Sequence, residues 1–155
     1  MKLAAEKDLT KLPDGACKRV AVIAADFYVE LAEWLEDGAR RALDACGVAP
    51  DARTFVRVPG CFELPVAAAR LIESGRYDAV VALGVVVRGE TPHFDYVAGE
   101  CARGLMSVGL ATRVPIGFGV LTTDTLAQAQ ERADPARGDK GFDAAVAALA
   151  VSAIV

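Results

Sequence analysis

The sequence predicts an α/β fold, with a parallel β-sheet held between layers of helices. Three observations lead there. Short apolar runs alternate with helical segments along the chain, as strand–helix–strand crossovers require. One of these runs, Ala79–Val87 (AVVALGVVV), has no polar position and reads as a strand buried on both faces. At 155 residues, with 54% apolar composition, the chain has the size of one domain with a full core.

The elements follow in order. Residues 1–17 read as a flexible lead-in with a turn at Pro13-Asp14-Gly15, and 18–155 as one domain. Residues 19–25 form the first strand, with Asp26-Phe27-Tyr28 at its carboxyl end. The spacing predicts a helix over 29–46, whose apolar face is Leu31, Leu35, Ala39, Ala42, Leu43 and Cys46, stopped by Gly47. A second strand, 54–58, ends at Pro59-Gly60. Cys61-Phe62-Glu63 then leads into a helix over 66–73, closed by Ser74-Gly75. The third strand turns through Arg88-Gly89-Glu90. Thr91 reads as an N-cap, Pro92 as the first helical residue, and His93 opens a helix to about residue 110 that loses regularity at Gly109. Residues 115–121 make a fourth strand, and 122–125 cap a helix through Arg132. A turn over 134–141 precedes a last helix, 142–155, apolar nearly all round; it is a core helix or an oligomer contact.

Composition narrows the function. Acidic residues exceed basic ones by four, which argues against a nucleic-acid or membrane surface as partner. The longest apolar run is about half of a bilayer span, and the N-terminus lacks a signal peptide's apolar centre, so a soluble, cytoplasmic protein is expected. Cys17, Cys46, Cys61 and Cys101 are far apart, and with one histidine they form no metal pattern; buried free thiols are expected and no metal. No Walker loop or first-turn G-x-G-x-x-G occurs, which argues against ATP or a dinucleotide.

In a parallel sheet the ligand sits beyond the carboxyl ends of the strands. That rule gathers Phe27, residues 60–63, residues 88–93 and the region after Phe118. His93, the only histidine, reads as a general acid/base or as a turn residue bonded to backbone. The Arg88-Gly89-Glu90-Thr91 turn reads as an anion cradle of backbone N–H groups or as an ordinary strand-to-helix turn. Glu63 reads as a polyol acceptor or a helix-start carboxylate, and Arg132 as a phosphate partner or a dipole-favoured helix end. By pattern alone Phe27 and Phe118 read as core aromatics.

Three segments go further: 58–65 (VPGCFELP), 83–97 (LGVVVRGETPHFDYV), and 118–124 (FGVLTTD) continuing to 128–132 (QAQER). In this order and spacing they resemble the 6,7-dimethyl-8-ribityllumazine synthases, the penultimate enzymes of riboflavin biosynthesis, over nearly the whole chain. The resemblance implies a three-layer, flavodoxin-like sandwich with a four-stranded parallel sheet. It implies condensation of 5-amino-6-(D-ribitylamino)uracil with (2S)-2-hydroxy-3-oxobutyl phosphate, without cofactor or metal. Carried over, Phe27 stacks on the pyrimidine, Cys61, Phe62 and Glu63 line the ribityl chain, and Val85, Val86 and Val87 hold the ring edge. Glu90 and Thr91 present amides to the phosphate, Arg132 pairs with it, and His93 shuttles protons. Phe118, against the pyrimidine, and Arg132 are expected from a neighbouring subunit. The resemblance also implies a pentamer, which in many members builds an icosahedral shell, and a functional link to riboflavin synthase.

Some positions depart from the family. Asp26-Phe27-Tyr28 stands where Arg-Phe-Asn is usual, and Glu90 replaces a small residue. The turn before the last helix, Asp134-Pro135-Ala136-Arg137-Gly138-Asp139, differs from the typical Gly-x-Lys-x-Gly-Asn.

Overall fold

A computed structural model describes residues 7–155. Residues 1–6 of the expected lead-in lie outside the described residues. Strands β1 (Val20–Ala25), β2 (Arg53–Val58), β3 (Ala79–Val87) and β4 (Ile116–Thr123) form one parallel sheet in the order β2-β1-β3-β4. Helices α1 (Val29–Ala45), α2 (Leu64–Glu73), α3 (His93–Thr112), α4 (Leu126–Ala133) and α5 (Lys140–Ser152) cover it. Alternate side chains of β1 serve two separate cores. Val20, Val22 and Ala24 pack with α1, α4 and α5; Ala21, Ile23 and Ala25 pack with α2 and α3. Period-two alternation within an all-apolar strand is what a double-sided sheet demands. The result is the expected three-layer, flavodoxin-like sandwich.

Element ends differ where local chemistry overrides the pattern. Helix α3 continues past Gly109 to Thr112, because the left-handed terminator is Arg113 (φ 60°), whose N–H reaches the Gly109 carbonyl at 2.9 Å. Pro92, in an αR conformation, takes the N-cap position expected for Thr91; the Thr91 hydroxyl still accepts from the His93 N–H at 3.4 Å. A 3-10 turn, Cys61–Glu63, precedes α2, which starts at Leu64 rather than 66. Cys17 is exposed, unlike the other three thiols, because it sits in a turn with φ 64°. Among the described residues no helix is long and apolar enough to cross a membrane.

Of its two readings, α5 satisfies the core one: Gly141, Phe142, Ala144, Ala145, Ala148 and Leu149 are buried. The approach to α1 is close enough that a Cβ on Gly141 would run into the Leu35 carbonyl oxygen, and one on Gly38 would meet the Phe142 nitrogen at 2.8 Å. Backbone cannot step aside as a side chain can. Gly141→Ala is therefore expected to cost about 3 kcal/mol of stability through overpacking, read as a lower urea midpoint at unchanged slope. The start of α5 is tied down by charge as well. Asp139, left-handed (φ 49°) with its side chain 7% exposed, accepts from Arg41 of α1 at 2.6 Å and from Lys7 at 2.8 Å.

The two sheet edges are unlike. On β2, Arg57 pairs with Glu36 at 2.9 Å and the Arg40 guanidinium lies 3.8 Å from the Phe55 ring centre, so charged side chains shield that margin. β4 pairs only with β3 and carries half-exposed Phe118 between Gly117 and Gly119. Apolar clefts of about 600 and 540 Å³ flank it, one against α5 and one against α3.

Candidate active site

The sheet order places β1 and β3 side by side, with their following segments departing to opposite faces. At this switch point the carboxyl ends of β1, β2 and β3 open a cleft of about 520 Å³. Its lining includes Phe27, Cys61, Phe62, Glu63, Val85, Val86, Val87 and His93. Eight of the expected site residues thus share one concavity of substrate size.

Each wall has a local cause. Phe27 and Phe62 are 74% and 61% exposed, which overturns the core reading for Phe27: the chain has left β1 and has not yet entered α1, so the ring stands out over the cleft. Tyr28 contacts Phe27 edge-to-face, with ring centres 5.1 Å apart, and limits its swing. Cys61 is tucked under the strands because Gly84 has no side chain; a Cβ there would collide with the Cys61 sulfur. Burial pushes the Cys61 thiol up to about 12, with the nearby Cys101 thiol adding to it. It therefore stays protonated at neutral pH and serves as wall rather than nucleophile. Glu63 sits half-buried at the N-terminus of α2 and forms no capping bond, which leaves its carboxylate available to the cleft.

Glu90 and Thr91 lie on the exposed turn that feeds α3, one and two residues after Gly89, and His93 is the first residue of the helix. The turn is not electropositive. Arg88 faces Asp95 and Asp124 at 3.4 and 3.0 Å, and Glu90 adds a further carboxylate. A phosphate held here by backbone N–H groups needs a cation from elsewhere.

The structure does not bring Phe118 and Arg132 into this cleft. Both line the 600 Å³ cleft on the open edge of β4, together with Lys140 and Asp143. Phe118 is 49% exposed, so the core reading fails for it too; the small neighbours that let α5 close onto β4 leave its ring outside. Arg132 donates to the Gln128 carbonyl at 3.1 Å and, among the described residues, pairs with no carboxylate. Its helix is fixed by a capping box between Thr125 and Gln128.

Gly60, gathered with residues 60–63 by the strand-end rule, lines the cleft as well, and three further lining residues are not among the expected site residues: Tyr28, Tyr96 and Val97. Tyr96 and Val97 follow His93 by three and four positions, so helical periodicity puts them on its face. Tyr28 is marked in the sequence only as the residue that stands in place of the family's asparagine. Among the described residues, no group of His, Cys, Asp and Glu side chains is arranged to hold a metal.

Comparison with known proteins identifies the family. Residues 17–155 match the family model for 6,7-dimethyl-8-ribityllumazine synthase. The chain is 59% identical over 138 residues to a protein of that name from Kineococcus radiotolerans, covering 88% of this chain and 84% of the relative. It is 52% identical over 139 residues to one from Gemmatimonas aurantiaca, covering 90% and 85% respectively. With the match running from before β1 to the last residue, the chain belongs to the 6,7-dimethyl-8-ribityllumazine synthase family.

Proposed function

We propose that the protein condenses 5-amino-6-(D-ribitylamino)uracil with (2S)-2-hydroxy-3-oxobutyl phosphate to give 6,7-dimethyl-8-(D-ribityl)lumazine, phosphate and water. The observation that carries this reading is the single cleft joining an exposed aromatic face, a polyol-accepting carboxylate and the only imidazole. Phe27 offers a flat apolar surface for the pyrimidine, and the backbone of Val85–Val87 runs along its edge. Glu63 accepts from ribityl hydroxyls beside Cys61 and Phe62.

The amine attacks the ketone, water leaves to give an imine, phosphate is eliminated, and the ring closes with loss of water. Each step moves a proton, and an imidazole both takes and gives one near neutral pH. His93, at the cleft wall beside the turn, takes that role. Glu90 and Thr91 present turn N–H groups to the phosphate, with the Glu90 carboxylate directed to solvent. Much of the acceleration is positional, since both reactants are already activated.

The reading extends to assembly. The cation at the phosphate turn, Arg88, is already matched by two carboxylates, while Arg132, among the described residues, pairs with none and lies beside exposed Phe118 on an open sheet edge. A neighbouring copy that brings Phe118 and Arg132 against the cleft completes the site and covers that edge. A closed ring of such heterologous contacts, the family's pentamer, meets the requirement; further closure into a shell depends on the 134–139 turn. The product's consumer is then riboflavin synthase.

The test is lumazine formation, followed by absorbance, with purified protein and both substrates. Turnover is the expected result. Binding of lumazine without turnover would instead make this a non-catalytic flavin- or lumazine-holding oligomer, a reading to which Asp26 and Tyr28, in place of the family's arginine and asparagine, give some basis.

A further inference from the structure

The turn that carries Glu90, Thr91 and His93 has little holding it from within. Its residues are exposed, and its one side-chain bond is the 3.4 Å contact from the His93 N–H to the Thr91 hydroxyl. Its ends, in contrast, converge on Arg88. The Arg88 backbone N–H donates to the Thr123 carbonyl at 2.8 Å, which fixes the exit of β3 to the exit of β4. Nε donates to Asp124 at 3.0 Å, in the loop between β4 and α4. Nη1 reaches Asp95 at 3.4 Å, in the first turn of α3, and the guanidinium lies 4.3 Å from the Phe94 ring centre. One side chain thus joins the strand before the turn, the helix after it, and the loop opposite.

We propose that Arg88 is a positioning residue, a clamp that fixes the approach of the 89–92 turn and the start of α3, and so aims the turn amides and the His93 ring at the cleft. Its charge state rules out the simpler role of anion receptor. Two carboxylates face one guanidinium, so the trio is net negative and does not attract phosphate. The geometry suits arginine in particular. A planar fork donates along two directions to two carboxylates on different segments while its face stacks on a ring, which an ammonium cannot reproduce. Because each pair is about half exposed, the clamp adds little to global stability; its contribution is to local order.

This inference rests on the lumazine synthase reading for its kinetic arm alone, so the experiment has a second arm that does not. Amide hydrogen exchange is measured on the substrate-free protein for wild type, Arg88→Lys and Arg88→Met. Faster exchange at residues 89–95 in Arg88→Met is expected, with the β1 and β3 amides and the melting temperature unchanged. In turnover, Arg88→Met is expected to raise KM for the hydroxyoxobutyl phosphate about tenfold and lower kcat, with KM for the pyrimidine within about twofold. Arg88→Lys is expected to recover part of the charge contact and little of the exchange protection. Wild-type exchange in Arg88→Met would overturn the clamp, as would equal rises in both KM values or a fall in melting temperature that accounts for the loss. A wild-type protein without turnover would overturn the proposed reaction while leaving the exchange arm to decide the clamp.

Discussion

His93→Ala is expected to lower turnover by roughly ten- to a thousandfold while leaving the assembly state and the melting temperature as in wild type. The size follows from the role proposed for His93, which both accepts and donates protons as imine formation, elimination and ring closure proceed. The selectivity follows from where the residue sits. His93 is exposed at the first position of α3; its backbone N–H donates to Thr91, and among the described residues no hydrogen bond engages its ring. Alanine is a good helix former, so the substitution removes a reacting group without opening a cavity or leaving a buried polar atom unpaired. Single-turnover kinetics compared with wild type check the result. Unchanged turnover would take His93 out of the mechanism and point to water or a substrate group as the proton carrier.

Arg132→Met alone is also expected to be nearly inactive, and mixing it with His93→Ala restores activity. If each site draws His93 from one chain and Arg132 from the next, a chain lacking Arg132 still supplies an intact His93 cleft. The neighbour lacking His93 still supplies Arg132. In randomly mixed rings of equal composition about a quarter of the sites pair two intact halves, so activity rises from near zero to about a quarter of wild type. Co-expression of the two variants, with native mass spectrometry to establish mixed rings, is the measurement. Mixed rings as inactive as either parent would place both residues in one site of one chain. That outcome would contradict the division into two clefts, since Arg132 lines the β4 edge and His93 the switch point.

Most of the architecture was legible because burial writes itself into the chain. Ala79–Val87 has no polar residue, and it forms a strand that, like β1, contributes to both cores. The errors fell at ends of elements, where a few hydrogen bonds decide. Gly109 read as a loss of helical regularity near an end at about residue 110, but nothing required a left-handed residue there; Arg113 takes that conformation four residues later. Topology alone was enough to gather residues 60–63 and 88–93, because carboxyl ends of parallel strands must meet. It could not separate Phe27 from Phe118 as two halves of a site, since both are simply aromatics near strand ends. Their separation depends on sheet order and on which edge is left open, and these are long-range properties. Tyr28 was hidden for a different reason: its contact with Phe27 is a matter of ring orientation rather than spacing.

The unequal edges of the sheet have a consequence for how the protein is made. β2 carries its own charged guard, but β4 offers an unpaired ladder, a protruding ring and apolar ground on either side. If that margin takes the neighbouring copy proposed above, a newly synthesised chain is in a race, because the same margin also accepts any extended segment of a wrong partner. Correct association would win by speed and geometry, at a rate that rises with the concentration of folded chains. Slow or dilute production should favour holdase capture of single chains, and heavy overproduction should favour precipitation whenever folding lags behind synthesis. On the proposed assembly, the same β4 surface governs yield in the cell as well as completion of the site.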